Sequence, residues 1–447
     1  MPGSRVLVYG MGASGRAAVR HLLADGFEVV AVDDDDGPGP PAAAATLGVE
    51  LVVAPDPRTL AALASDVVEV VVSPGVPARH PVFGLGPEVS VIGEVELAWR
   101  RARVPVVGIT GTNGKTTITT LVAAMLDASG IKAVAAGNIG LPLLDAVEAD
   151  VSVVVAEVSS FQLALTEAFA PAVAAWCNFT PDHLDWHGTV EAYRAAKARV
   201  WANAGPAMVV VANADDPVVE GEARTAAARG ARLVTFGRRG DFHVHQGALV
   251  TPTGDVVVRL EEMPRTLPHD VANALCAAAA AMAAGATTAG CRDALSAFRG
   301  LPHRVELVGE ANGVRFYDDS KATTPAATLA ALEGFDSVVL IAGGRNKGLD
   351  LSVLAGAAHR LRAVVAIGEA ASEVAAAFDG TRPVVEAASM GDAVAAAASL
   401  AVPGDAVVLS PACASFDWYG SYGERGDDFS RWVRDTVGVA SNPGSGR

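Results

Sequence analysis

Along most of its length the chain alternates between short runs rich in valine and alanine and longer stretches whose apolar residues return at helical spacing. RVLVYG (5–10) gives way to an apolar helical stretch, then EVVAVD (28–33) and VVEVVVSPG (67–75). RVPVV (103–107) leads into the glycine-rich GITGTNGKTTITT (108–120), and a second helical stretch follows. Further strands are predicted at VSVVVAEVSS (151–160) and AMVVVANADD (207–216). Around FRGLPHRVE (298–306) the pattern resets, and SVVLIAGG (337–344), AVVAIG (363–368) and AVVLSPA (406–412) form a third block. This alternation predicts an α/β protein made of open, mainly parallel sheets covered by helices. At 447 residues the chain exceeds one ordinary core, and about three domains are expected. The boundaries predicted are 1–99, 100–300 and 301–447, with the basic segment RRARVP (100–105) as a linker. The last ten residues, GVASNPGSGR, read as a mobile tail.

Composition narrows the class of protein. Hydrophobic residues make up 51% and charged residues 19%, which is globular rather than disordered. A formal net charge of −16 argues against nonspecific nucleic-acid binding. The alanine-rich ALCAAAAAMAAGA (274–286) is too short to span a bilayer and reads as a buried helix. The opening residues lack the features of a signal peptide, and Cys177, Cys276, Cys291 and Cys413 have no paired spacing. A cytoplasmic protein with free thiols and no zinc cluster is the expectation.

Three stretches carry candidate chemistry. A glycine-rich turn between a strand and a helix makes an anion cradle from backbone N–H groups. In residues 108–120, Lys115 adds a mobile positive charge and Thr116 a hydroxyl suited to magnesium. Ile109 stands where the strict phosphate-loop pattern has glycine, so Gly111 and Gly114 bracket a tighter turn. GMGASG (10–15), with Asp33 at the end of the next strand, fits a dinucleotide fingerprint, but any diphosphate could be held there. Taken alone it would suggest a nicotinamide-dependent oxidoreductase; a tight turn without ligand is the bland alternative. Glu157 ends a parallel strand, where acids face the ligand crevice. NFTPDHLDWH (178–187) crowds His183, His187, Asp182 and Asp185 together, which fits a zinc pair or a solvated turn equally well on spacing. Lys197, on an amphipathic stretch in YRAAKARVW (193–201), reads by itself as a surface lysine.

Taken together, GITGTNGKTT, GNIG, EVSSFQL, NFTPDHLDWHG, YRAAKARV, GLPHRVE, DDSKATTP and SPACASFD follow the order seen in the Mur ligases, and the chain resembles that family over residues 5–435. These are ATP-dependent amide ligases of peptidoglycan precursor synthesis. The resemblance implies a Rossmann-like N-terminal domain for a UDP substrate, a central phosphate-loop ATPase-like domain and a Rossmann-like C-terminal domain for an amino acid. Within the family, DSKAT, GGRNKG and SPACASFD resemble the branch that adds D-glutamate to UDP-N-acetylmuramoyl-L-alanine through an acyl phosphate. Another Mur-type or folate-type amide ligase is the alternative, and an ATP-binding protein without turnover a more distant one.

The resemblance also implies roles for individual residues. Ser14, Asp33, Ser73 and Gly75 would surround the uridine diphosphate, with Asn138 and His183 near its muramoyl part. Gly111, Thr112, Asn113, Gly114, Lys115, Thr116 and Thr117 would hold ATP phosphates, joined by Asn273, His303, Arg304 and Asp319 for the rest of the nucleotide. Thr116, Glu157 and His183 would bind magnesium, two ions being expected, and Lys197 would react with carbon dioxide to give a carbamate that supports one of them. Thr323, Lys347, Ser415 and Tyr422 would bind D-glutamate. A monomer without membrane insertion is implied. Asp270 stands where relatives commonly have asparagine, Asp34 and Asp35 where a threonine–arginine pair is often found, and Tyr422 where phenylalanine is frequent.

Overall fold

Strands whose apolar residues run without interruption must be covered on both faces, and the computed structural model, which describes residues 3–86 and 88–438, arranges them so. The residues Val439–Arg447, most of the predicted tail, lie outside the described residues. The chain divides into two compact units, one of residues 1–264 and 272–298, the other of 265–271 and 299–447.

The first unit carries two parallel sheets. β1 (Arg5–Tyr9), β2 (Glu28–Asp33), β3 (Glu50–Val53), β4 (Glu69–Val72) and β5 (Val91–Gly93) lie in the order β3-β2-β1-β4-β5. β6 (Val106–Thr110), β7 (Ala133–Gly137), β8 (Val153–Glu157), β9 (Val173–Trp176), β10 (Val209–Asn213) and β11 (Arg232–Phe236) lie in the order β11-β10-β9-β6-β8-β7. Both sheets have a topological switch, at β1/β4 and at β6, where connections leave in opposite directions and open a crevice at the carboxyl ends. Period-two alternation decides the faces: Leu7, Tyr9, Val30 and Val32 enter one core, while Val6, Val8 and Ala31 enter another that continues under the second sheet. The alanine-rich stretch is the interior of helix Pro268–Ala283, with Ala274 to Ala281 buried.

A small antiparallel sheet in the same unit was not foreseen: β12 (His243–His245), β13 (Ala248–Val250) and β14 (Val256–Arg259). Its strands are three or four residues long and too short to stand out as periodic runs. The segment RRARVP is also not a loose linker. Arg100 reaches Glu69, Glu96 and Glu167, while Arg101 reaches Asp25 and Glu148, so ion pairs to five acids hold its first two residues. Buried Glu96 accepts the N–H groups of Glu167 and Ala168, and buried Glu94 accepts that of Leu144.

The second unit is one mixed sheet. β15 (Glu306–Ala311), β16 (Val314–Asp318), β17 (Val338–Gly343), β18 (Leu361–Ile367), β19 (Val384–Ala387) and β20 (Ala406–Ala412) lie in the order β15-β16-β20-β17-β18-β19. Only the β15–β16 pair is antiparallel. The carboxyl ends of β16, β17 and β20 therefore share one edge. Asp270, unassigned from sequence, pairs with Arg265 at 3.1 Å in this unit. The four cysteines are buried and unpaired, and among the described residues no helix is long and apolar enough to cross a membrane.

Candidate active site

β6 ends at Thr110, and helix Lys115–Ala128 starts at Gly114, leaving a very tight loop. The two bracketing glycines are there for space. A Cβ on Gly111 would lie 2.1 Å from Cys177 Sγ, and one on Gly114, in the left-handed region at φ +83°, 2.3 Å from Asn273 Oδ1. Asn273 thus sits against the loop.

Asn178, which sequence reasoning left without a role, braces that loop. Its Oδ1 accepts the N–H groups of Thr112 (3.0 Å) and Asn113 (2.9 Å), and its Nδ2 donates to Asn113 O at 3.0 Å. Thr112 Oγ1 lies 3.1 Å from the hydroxyl of buried Tyr193 and donates to Thr180 O. The backbone amides of Thr112 and Asn113 therefore serve the loop itself, while Gly114 onward forms the helix N-terminus, the favourable end for an anion. Lys115 Nζ folds back onto Gly111 O and Thr112 O at 3.0 and 2.9 Å. The available signal for Asn178 was a polar residue directly after an apolar strand that neighbours the phosphate loop.

Lys197 is not a surface lysine. It is 2% exposed, donates to Gly111 O at 2.6 Å and lies 4.8 Å over the Tyr193 ring. Burial, and next the neighbouring Lys115, push its ammonium well below the usual lysine value; Cys177, Asp182 and Glu157 oppose this. The helical spacing was legible, but which face of the helix meets the loop was not. Glu157 is 2% exposed; Oε1 accepts from Asn138 Nδ2 at 2.9 Å, while Oε2 is buried with no hydrogen-bond partner.

NFTPDHLDWH is open to solvent at Thr180, Pro181, His183 and Leu184, while its aromatic rings pack together. His183, in the left-handed region at φ +53°, His187 and Trp186 pack around Phe161, with ring centroids 4.7, 5.5 and 5.2 Å away. His187 Nε2 lies 3.0 Å from Ser160 Oγ, and Trp186 Nε1 donates to Val76 O, directly after the turn Ser73–Gly75. At that turn Ser73 Oγ donates to Gly10 O at 2.8 Å, and a Cβ on Gly15 would strike Gly10 O at 1.7 Å. A Cβ on Gly12 or Gly75 would meet nothing within 4 Å. Ser14 is in the first turn of helix Ala13–Ala24. Asp33 turns inward: its Oδ2 accepts Met11 N–H at 2.5 Å and its Oδ1 accepts Asp35 N–H at 2.9 Å.

The second unit gathers its own cluster on the shared edge. Arg425, 1% exposed, donates through Nε to Ser320 Oγ and through its terminal nitrogens to Ser320 O and Cys413 O. It ties the loop after β16 to the loop after β20; burial lowers its pKa to about 10, so it stays charged at neutral pH. Arg345 and Ala414 exchange backbone hydrogen bonds at 2.9 and 3.0 Å, which draws the loop after β17 alongside. These three loops carry Thr323, exposed Lys347 and buried Ser415, and exposed Tyr422 opens the helix Tyr422–Val437 that follows the last of them. Lys321 was missed: its Nζ donates to Tyr422 Oη at 3.1 Å and lies 4.7 Å over that ring. His303 Nδ1 lies 2.7 Å from Asp318 Oδ2, and this hydrogen bond raises its pKa. Arg304 O accepts from Arg265. Asp319 is sunk beneath, 6% exposed, with its oxygens taken by Ser410 O–H and Val305 N–H; burial raises it to about 7.

The Mur ligase middle domain family matches residues 109–281, which hold the phosphate loop, Glu157 and Lys197. The glutamate ligase domain of the Mur ligases matches 303–413, and the MurD-like N-terminal domain 4–88. A protein of Frankia casuarinae named UDP-N-acetylmuramoylalanine--D-glutamate ligase is 45% identical over 98% of this chain and 95% of its own length. The chain belongs to the Mur ligase family. A protein of the same name from Shouchella clausii is 43% identical over 97% of the chain and 98% of its own. Among solved structures, a pseudomurein peptide ligase from Methanothermus fervidus matches at TM-score 0.61 and 18% identity, covering 97% of this chain and all of that one. A MurF structure from Acinetobacter baumannii matches at TM-score 0.61 and 19% identity, covering 96% and 91%. Both share the three-domain Mur ligase fold of mostly parallel sheets.

Proposed function

We propose that this Mur ligase joins D-glutamate to UDP-N-acetylmuramoyl-L-alanine with ATP, a step of peptidoglycan precursor synthesis in the cytoplasm. The observation that carries the reading is near full-length identity of 38–45% to proteins named for that reaction. The three matched domains, whose boundaries we place at residues 99/100 and 300/301, divide the UDP substrate, ATP and amino acid among them. The ligase needs no second subunit in this reading, which light scattering would check.

A carboxylate resists attack by an amine because oxide would have to leave. Transfer of the γ-phosphoryl group makes an acyl phosphate and releases ADP; the amine nitrogen then bonds to the carbonyl carbon, phosphate departs and a proton is lost. Phosphoryl transfer of this kind rests on positioning and charge neutralisation. Lys115 and the helix N-terminus, with Thr116 and Thr117 in its first turn, are suited to binding the phosphates. The buried, unpartnered Oε2 of Glu157 fits a divalent cation, which Glu157, Thr116 and His183 would hold. Magnesium would supply positive charge opposite the phosphate oxygens. Lys197 has the properties of a carbamate former. Burial favours its neutral amine, whose nitrogen can bond to carbon dioxide and lose a proton, replacing a cation by an anion. Asn273, His303 and Arg304 serve the nucleotide, with Asp319 as a buried support. Lys347, Ser415, Thr323 and Tyr422 serve the amino acid; a lysine ammonium suits a carboxylate and leaves the attacking amine free.

The test is phosphate release measured across a panel of amino acids and UDP-muramoyl acceptors. Turnover confined to D-glutamate with UDP-N-acetylmuramoyl-L-alanine is the expected result. Preference for another amino acid would reassign the chain within the family, and protection of the fold by NADH but not by uridine nucleotides would overturn the reading of the N-terminal turn.

A further inference from the structure

The loop after β17 is closed by one of its own side chains. Its start is pinned through the backbone: Gly344 N–H donates to Ile367 O, Ala370 N–H donates to Gly344 O, and Arg345 exchanges hydrogen bonds with Ala414. A Cβ on Gly343, at φ +125°, would strike Ile367 O at 2.0 Å, and one on Gly344, at φ +128°, Ala414 O at 2.3 Å. The chain therefore threads between the end of β18 and the segment after β20, where only glycine fits. Beyond that point Asn346 takes over. Its Oδ1 accepts Leu349 N–H at 2.9 Å, and its Nδ2 donates to Leu349 O at 2.9 Å. The other proton on Nδ2 goes to Glu373 Oε2 at 2.7 Å, on the helix Ala371–Ala377. The turn 346–349 is thereby tied across its base and fastened to a neighbouring helix, with Lys347 and Gly348 at its tip.

Acids crowd the same edge, and each is gripped. Glu369 takes both prongs of the Arg345 guanidinium at 3.0 and 2.8 Å, Glu373 takes Asn346, and Asp417 accepts Glu369 N–H at 3.1 Å. A substrate with two carboxylates would be repelled by acids left free to swing toward it. The Arg345–Glu369 pair is about half exposed and contributes little to stability. The Asn346 amide differs in kind: it is half-buried, and both its donors and its acceptor are used to specify one backbone conformation. Lys347 itself is exposed on a flexible stem, so the backbone beneath it sets where its ammonium is presented.

We propose that Asn346, locked by Glu373, is a positioning residue of the amino-acid site: it holds the turn that presents Lys347 to a substrate carboxylate. The inference rests on the reading that Lys347 binds that carboxylate. Asn346→Ala frees the turn and leaves every group assigned to substrate in place. Conformers that present Lys347 elsewhere then dilute the competent one, which raises KM and spares turnover at saturating D-glutamate. Phosphate-release kinetics with D-glutamate varied should show its KM raised about three- to tenfold, with kcat and the KM of ATP and of the UDP substrate within about twofold of native. Asn346→Asp keeps the acceptor for Leu349 N–H but sets a carboxylate against Glu373, and should raise the D-glutamate KM by about tenfold or more. Adding Glu373→Gln gives that pair a donor again and should bring the KM back down by about threefold or more. Once the lysine is gone there is nothing left to position, so Asn346→Ala added to Lys347→Met should change the KM by less than about twofold. The positioning role is overturned by a D-glutamate KM that Lys347→Met raises and Asn346→Ala does not, by equal increases in the KM of every substrate, by full additivity of the two substitutions, or by no recovery with Glu373→Gln. An unmoved KM in Lys347→Met itself instead overturns the assignment of the amino-acid site on which the proposal rests.

Discussion

Truncating Asn178 to alanine should loosen the phosphate loop without removing a group assigned to ATP. Three side-chain hydrogen bonds disappear, two to the N–H groups of Thr112 and Asn113 and one from Nδ2 to Asn113 O. Thr112 N–H keeps a second acceptor, the main-chain oxygen of Asn178 at 3.1 Å, so its loss is partly covered. The bond to Asn113 N–H goes outright, and Asn113 O loses its amide donor, keeping only the weaker Cys177 Sγ–H at 3.1 Å. At about 1 kcal/mol net for each, the braced loop loses about 2 kcal/mol relative to unbraced conformers, a factor of about 30 at room temperature. Apparent affinity falls by the fraction of molecules still holding the competent loop, so the ATP KM should rise between several-fold and about thirtyfold. Saturating ATP restores the loop by mass action, so kcat should stay within a few-fold. Asn178→Asp retains the acceptor but sets an anion against Asn113 O, and should fall between native and alanine. Phosphate-release kinetics with ATP varied, together with calorimetric ADP binding, read the effect, and circular dichroism confirms the fold. An unchanged ATP KM and ADP affinity in folded Asn178→Ala would refute the brace.

Lys197→Ala should be nearly inactive and partly restored by a short carboxylic acid in solution; full activity of the variant in buffer depleted of carbon dioxide would remove the carbamate. Lys347→Met should raise the D-glutamate KM ten- to a hundredfold, about 1.5–3 kcal/mol, with the ATP KM far less affected; steady-state kinetics with D-glutamate varied decide it, and unchanged values exclude Lys347 from the site. Burial raises Glu94 to about 7 from the ordinary 4.5, so the folded state binds its proton more tightly than the unfolded. That stabilisation is complete below about pH 4.5 and is lost as pH rises through about 7. Glu94→Gln, which keeps an acceptor for Leu144 N–H, should therefore raise Tm at pH 8 by an amount worth about 1–3 kcal/mol and change little at pH 4.5. Thermal melts at the two pH values check it, and a difference independent of pH would refute it.

Some of this protein is local in origin and could be read from sequence. Strand–helix alternation follows from period-two and helical spacing, both properties of neighbouring residues, and it predicted a strand at 103–107, a tight turn bracketed by Gly111 and Gly114 and a helical stretch beyond; the strand runs Val106–Thr110 and the helix begins already at Lys115. Glu157 and Asp33 were placed at strand ends for the same reason. The order of the motifs carried the family. Tertiary structure decided matters that depend on residues far apart in sequence. Lys197 is buried because its helix packs Tyr193 and the ammonium against the loop around Gly111, a contact across 86 residues that no helical periodicity encodes. Arg100 and Arg101 became a clamp because their acidic partners are scattered from Asp25 to Glu167. Asp33 and Asp34 are adjacent and chemically identical, yet one turns to its own loop and the other meets Tyr9 and His80. Composition and spacing choose which residue types are present, whereas the direction of a side chain, and therefore its ionisation and its ligand, depends on which strands and loops the fold brings beside it.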